Sequence, residues 1–128
     1  MSKNAKIVIV EDDIAISQMY RIKFEVEGYE IETADNGKLG LELIKQTKPD
    51  IVLLDLMMPE MNGDEVLQRM RQEAWGKDMQ VIILTNLGQQ EAPASLDLLN
   101  VDYFIVKAEM TPKQVAEIVK ERLKAKAA

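Results

Sequence analysis

The sequence predicts an α/β fold built on a parallel sheet, and three observations carry that reading. Five apolar runs, "KIVIV" (6–10), "YEIETA" (29–34), "DIVLL" (50–54), "QVIIL" (80–84) and "DYFIV" (102–106), recur along the chain, each followed by a stretch with helical spacing. The run Ile51-Val52-Leu53-Leu54 is unbroken, as expected of a strand covered on both faces and not of a half-wetted one. At 128 residues the chain suits one domain, taken as 1–128 with a helical tail over 111–128.

Between the first two strands, "RIKFEVEGY" (21–29) alternates like a strand, while Ala15, Met19, Ile22 and Val26 keep helical spacing. Both readings are open locally. Helix is preferred because Asp13 can cap it, Gly28 can end it, and a parallel sheet needs a crossover here. Residues 36–48, after the turn "ADNG" (34–37), carry Leu39, Leu43 and Ile44 on one face, and residues 64–75 carry Val66, Leu67 and Met70, with Trp75 read as helix-end surface. A weaker helix is expected over 88–100, where Pro93 allows only a start near itself, Leu96 and Leu99 give a short apolar face, and Asn100 can close left-handed. The last helix has the clearest start: Thr111-Pro112-Lys113-Gln114 offers a hydroxyl cap, proline at the first helical position and a capping-box glutamine.

Composition removes several classes of function. The chain has no cysteine and no histidine, so thiolate nucleophiles, Ser-His pairs, imidazole metal sites and a phosphohistidine of its own are excluded. Chemistry must run on carboxylates, hydroxyls and lysines. A net charge of −6 argues against direct binding of nucleic acid. No apolar stretch approaches the ~20 residues that cross a bilayer, and the start "MSKNAKIVIVEDD" lacks a signal-peptide pattern, so a cytoplasmic protein without membrane contact is expected.

The chemistry collects at strand ends. The first strand runs into Glu11-Asp12-Asp13, the third into Asp55, the fourth into Thr85 and the fifth into Lys107. In open α/β sheets ligands bind outside those carboxyl ends, and strands one and three can be neighbours there. Crowded carboxylates repel unless a cation neutralises them, and an all-oxygen set suits magnesium. A hydroxyl and an ammonium beside such a cluster are the parts that hold a phosphoryl group in transfer. Taken singly, each residue has an ordinary reading: acids after strands cap helices, and threonine or lysine there is structural or solvated. Four strand ends of five converging on one chemistry is a different matter.

With "IVIVEDD", "DIVLLDLMMPEMNG", "VIILT" and "YFIVK" in this order, the chain resembles the receiver domain of two-component response regulators, the phosphorylatable partners of sensor histidine kinases. The resemblance spans nearly the whole chain. It implies a doubly wound, flavodoxin-like sheet of five parallel strands in order 2-1-3-4-5 with five helices. It also implies Asp55 as phosphoacceptor, with Thr85 and Lys107 on the phosphoryl oxygens. Magnesium would be held by Glu11, Asp12, Asp55 and the Met57 carbonyl. Asp13 is left as the cap of the first helix. Thr85 and Phe104 would form the switch pair, although Phe104 reads equally well as a strand aromatic packed on a helix. Met57, Met58 and Met61 read as packing more than as a soft binding surface.

The function so implied is a magnesium-dependent signalling switch with weak autophosphatase activity. Its donor would be a sensor histidine kinase or histidine phosphotransfer protein, and its output an unidentified protein meeting the fourth helix, fifth strand and fifth helix. The oligomeric expectation is a monomer or a phosphorylation-dependent dimer. The alternatives are an aspartate-nucleophile phosphatase, which generally carries a second acid where Met57 stands, and the receiver piece of a longer transcriptional regulator. Two departures stand out. Ala108 follows Lys107 where the family has a cis proline, and a cis bond without proline costs ~2.5–4 kcal/mol, so a trans bond is expected. Asn100 stands where the family commonly has a glycine before the fifth strand, a smaller change because Asn tolerates the left-handed region. In the family the places of Met57 and Leu87 lie beside the path of attacking water, so the resemblance implies a long-lived phosphoryl group with two apolar residues there.

Overall fold

The structure, a computed structural model, describes residues 4–86 and 99–127. In chain order the elements are β1 (Lys6–Val10), α1 (Ile14–Val26), β2 (Glu30–Ala34), α2 (Gly37–Thr47), β3 (Ile51–Leu54), α3 (Gly63–Arg71), β4 (Gln80–Thr85), β5 (Tyr103–Val106) and α4 (Pro112–Ala127). The strands pair in parallel in the order β2-β1-β3-β4-β5. Four α-helices lie among the described residues, and α4 is the element expected as the fifth. The helix expected over 88–100 falls largely outside those residues, as does Leu87. Among the described residues no helix is long and apolar enough to cross a membrane.

Side-chain alternation explains the unbroken apolar strands. On β1, Val8 and Val10 join one core with Ile44 of α2 and Val66, Leu67 and Met70 of α3, while Ile7 and Ile9 join another with Tyr20 and Phe24 of α1 and Val115 and Val119 of α4. Each fully buried side chain of this size stabilises the fold by roughly 1.5–3 kcal/mol. The helices begin where the sequence placed their caps. Asp13 accepts from the Ile16 amide at 3.1 Å and Asn36 from the Leu39 amide at 2.8 Å. The Thr111 and Gln114 side chains exchange reciprocal capping bonds of 3.2 and 2.9 Å. Gly28 (φ 95°) and Asn100 (φ 55°) both take the left-handed conformation.

Three sequence expectations need correction. The residues whose spacing supported α1, namely Ala15, Met19, Ile22 and Val26, face solvent, with Ile22 61% and Val26 78% exposed. The buried face is Ser17, Tyr20 and Phe24, because two large aromatics stacked 6.1 Å apart fill the space under β1 and β3 better than aliphatics would. Leu39 on α2 is 55% exposed, and the core position belongs to Ile44. Trp75 is half-buried against the α2/α3 core instead of capping a helix surface, and its indole N–H meets no acceptor among the described residues.

The last correction has its cause in Arg71. Helix α3 stops at Arg71, whose guanidinium donates to the carbonyls of Gly76 (2.8 Å) and Met79 (2.6 Å) on the following turn. It also reaches Leu99 and Asn100, both at 2.8 Å, before β5. Gathering those carbonyls turns the chain back over the end of the helix and lays Trp75 on the core. Burial pushes the Arg71 pKa down, with Asp102 and Asp78 opposing.

Candidate functional site

The carboxyl ends of β1, β3, β4 and β5 open into a cavity of about 320 Å³ lined by Glu11, Asp12, Asp13, Asp55, Met57, Thr85, Asn86 and Lys107. Backbone pairing fixes its floor: the Asp55 amide donates to Val10 at 3.0 Å and the Glu11 amide to Ala34 at 3.0 Å, so both acids leave the sheet level with one another. Glu11 is 3%, Asp55 5% and Thr85 1% exposed, whereas Asp12 is exposed. Close approach of the next helix completes the wall. A Cβ built on Gly63, the first residue of α3, would stand 2.1 Å from the Asp55 carbonyl oxygen, so only glycine lets α3 start there.

Lys107 is the first residue of a short 3-10 turn after β5. Its ammonium donates to Asp55 Oδ2 at 3.0 Å and pairs with Glu11 Oε1. The Lys107–Ala108 peptide is trans, as expected without proline, since no described bond is cis. Asp55 Oδ1 accepts from the Met57 amide at 3.3 Å. Asp13 turns away as the cap of α1, and its own amide donates to Glu11 Oε2 at 3.1 Å. Phe104 lies opposite Ile83 and is half-buried against the α2/α3 core, the packed placement of its two readings.

Electrostatics shape the pocket. Burial pushes the Glu11 carboxyl up to about 7, opposed by Lys107 and by the Asp13 amide and reinforced by the Asp55 charge. Burial lowers Lys107, but its contacts with Glu11 and Asp55 outweigh that and carry it above the ordinary lysine value. The two shifts pull against each other, because a neutral Glu11 gives Lys107 less support. The geometry favours a charged Lys107, which keeps Asp55 as partner when Glu11 takes a proton. Glu11, Asp12 and Asp55 each bring one carboxylate oxygen within 4.8 Å of the others. With all three ionised, three negative charges against one ammonium leave −2, and the donors are all oxygen. That set fits a hard divalent cation.

Residues 7–120 match the family of response regulator receiver domains. The chain belongs to that family. Members are phosphoacceptor switches of two-component systems. Over 84 residues, 66% of the chain, it is 42% identical to the DNA-binding dual master transcriptional regulator RpaA of Synechocystis sp., of which it covers 35%. To the phosphate regulon transcriptional regulatory protein PhoB of Rhizobium meliloti it is 31% identical over 88% of the chain and 50% of that protein. The chain thus spans half or less of these relatives. A solved CheY-like receiver domain protein from Methanospirillum hungatei superposes with a TM-score of 0.85 at 30% identity, covering 96% of each chain. A receiver domain of a histidine kinase from Syntrophus aciditrophicus gives 0.83 at 29%, covering 94% of this chain and 91% of that one.

The sequence missed two residues of the neighbourhood. Asn86 lines the cavity directly after Thr85, and adjacency to a flagged residue was its only signal. Tyr20 is 2% exposed and feels the Lys107 and Glu11 charges from below, and nothing local in the sequence marks it.

Proposed function

We propose that Asp55 is the phosphoacceptor of this receiver domain. An Asp55 carboxylate oxygen attacks the phosphorus of a phosphohistidine on a sensor kinase or phosphotransfer protein. The P–N bond breaks as the P–O bond forms, and the departing imidazole takes its proton from solvent. Lys107 and the Thr85 hydroxyl receive the phosphoryl oxygens, and Lys107 exchanges its bond with Asp55 for one to the transferred group. Glu11, Asp12 and Asp55, with the Met57 carbonyl, would hold magnesium, which supplies neutralising charge for the phosphoryl oxygens. Hydrolysis is slow self-catalysis, since Met57 offers water no hydrogen-bonding side chain. The new phosphoryl oxygens select one placement of Thr85, and with it one of Phe104, shifting a population that an output protein reads.

The observation supporting this most is the buried contact of Lys107 with Asp55 at 3.0 Å beside two further acids. Intact mass after incubation with a small phosphodonor and magnesium tests it: wild type should gain one phosphoryl group and Asp55→Ala none. Equal labelling of both, or of neither, sinks the assignment. A second reading, the receiver piece of a longer transcriptional regulator, is favoured by the chain covering 35% and 50% of two such relatives. The mass of the endogenous protein decides that question.

A further inference from the structure

Beside the carboxylate pocket lies a larger hollow, a cleft of about 580 Å³ between α1 and α2 at the carboxyl end of edge strand β2. Its α2 wall is Leu39, Glu42, Leu43 and Gln46, the i, i+3, i+4, i+7 positions that a helix ordinarily packs against another element. Here that face is open, with Leu39 55% exposed, and Ile14 on the α1 lip is 66% exposed. Three carboxylates, Glu11, Asp35 and Glu42, contribute to the walls, and no lysine or arginine among the described residues does. Neither Asp35 nor Glu42 is ion-paired among the described residues.

We infer that this cleft docks an amphipathic helix of a partner protein, with leucine-type anchors between Ile14 and Leu39 and lysine or arginine against Glu42 and Asp35. The ridge on α2 provides the shape for helix-in-groove packing, and the one-signed lining selects the charge. The surface is separate from phosphoryl transfer, although Glu11 forms a wall of both hollows.

A short synthetic amphipathic peptide of leucine and lysine serves as the probe, titrated into the labelled protein and followed by amide spectra. Shifts should map to Gln18, Thr33, Leu39 and Leu43, and Glu42→Lys should weaken binding about tenfold. Glu73→Lys, exposed and outside the cleft, makes the same change in net charge and should weaken binding less than threefold, with circular dichroism confirming that both variants fold. Asp55→Ala should bind the peptide as wild type does, so failure of the phosphoacceptor reading leaves this result standing. Equal losses in the two charge variants would reduce the effect to net charge and overturn the inference. So would shifts confined to the outer face of α1, at Met19 and Ile22, or concentration-dependent shifts at the cleft without peptide, which would make a second copy the occupant.

Discussion

The carboxylate pocket and the α1–α2 cleft share the Glu11 side chain, yet their acids live under opposite conditions. In the pocket Glu11 and Asp55 are buried and share one ammonium, so removing or moving any group leaves a charge unanswered in a poorly solvated place. In the cleft Asp35 and Glu42 stand in water among apolar lips, where a charge is cheap to keep and can only discriminate between visitors. The same residue types on either side of a common wall are thus suited to chemistry where buried and to recognition where exposed.

The largest effect expected from a change at the pocket itself breaks the pocket and spares the cleft. Gly63→Ala drives a methyl group into the Asp55 carbonyl, 2.1 Å away, and Leu56 Cα, 2.9 Å away, both backbone atoms that cannot swing aside. We expect a loss of about 1–3 kcal/mol in urea unfolding and weaker phosphorylation of Asp55. Stability within about 0.5 kcal/mol of wild type would mean the pocket is softer than its geometry states.

The next effect is a pH dependence that only the buried acid should show. The folded-state value of Glu11, about 7, lies above its ordinary 4.5, so the stability carried by its proton is complete below about 4.5 and lost as pH rises through about 7. In magnesium-free buffer the wild type should lose on the order of 1 kcal/mol between about pH 6 and about pH 8. Glu11→Gln should lose clearly less. Parallel pH curves for the two proteins would remove burial as the cause.

The smallest effect sharpens the contrast on α1. Replacing Ile22 with Gln removes an aliphatic side chain that is 61% exposed, and stability should stay within about 0.5 kcal/mol of wild type. Tyr20→Ala on the opposite face should cost several times more, about 3–5 kcal/mol by analogy with other buried aromatics. Thermal unfolding of the pair decides whether the outward stripe supports the fold.

The strand ends were legible because the residue that leaves a buried strand must lie at the edge of the sheet, so Glu11, Asp55, Thr85 and Lys107 could be assigned to one place before their distances were known. Caps were legible for a similar reason: Asp13 and the Thr111–Gln114 pair act on amides three residues away. The phase of α1 was not legible. Both Met19-Ile22-Val26 and Tyr20-Phe24 keep helical spacing, and periodicity gives a period without saying which apolar face meets the sheet. The end of α3 was hidden as well, because two of the carbonyls that hold Arg71 come from residues 28 and 29 positions further along.

That arginine has a kinetic consequence. Its bonds to Gly76 and Met79 close loops of 5 and 8 residues, which form early and cheaply, while those to Leu99 and Asn100 join parts of the chain that meet only once β4 and β5 pair. The distant half of the clamp is thus expected to form after the near half. Replacing Arg71 with Met should slow refolding through the near bonds and speed unfolding through the distant ones, each by about tenfold for every 1.4 kcal/mol lost from that half of the clamp. The guanidinium thus divides its effect between how fast the native state is reached and how long it lasts.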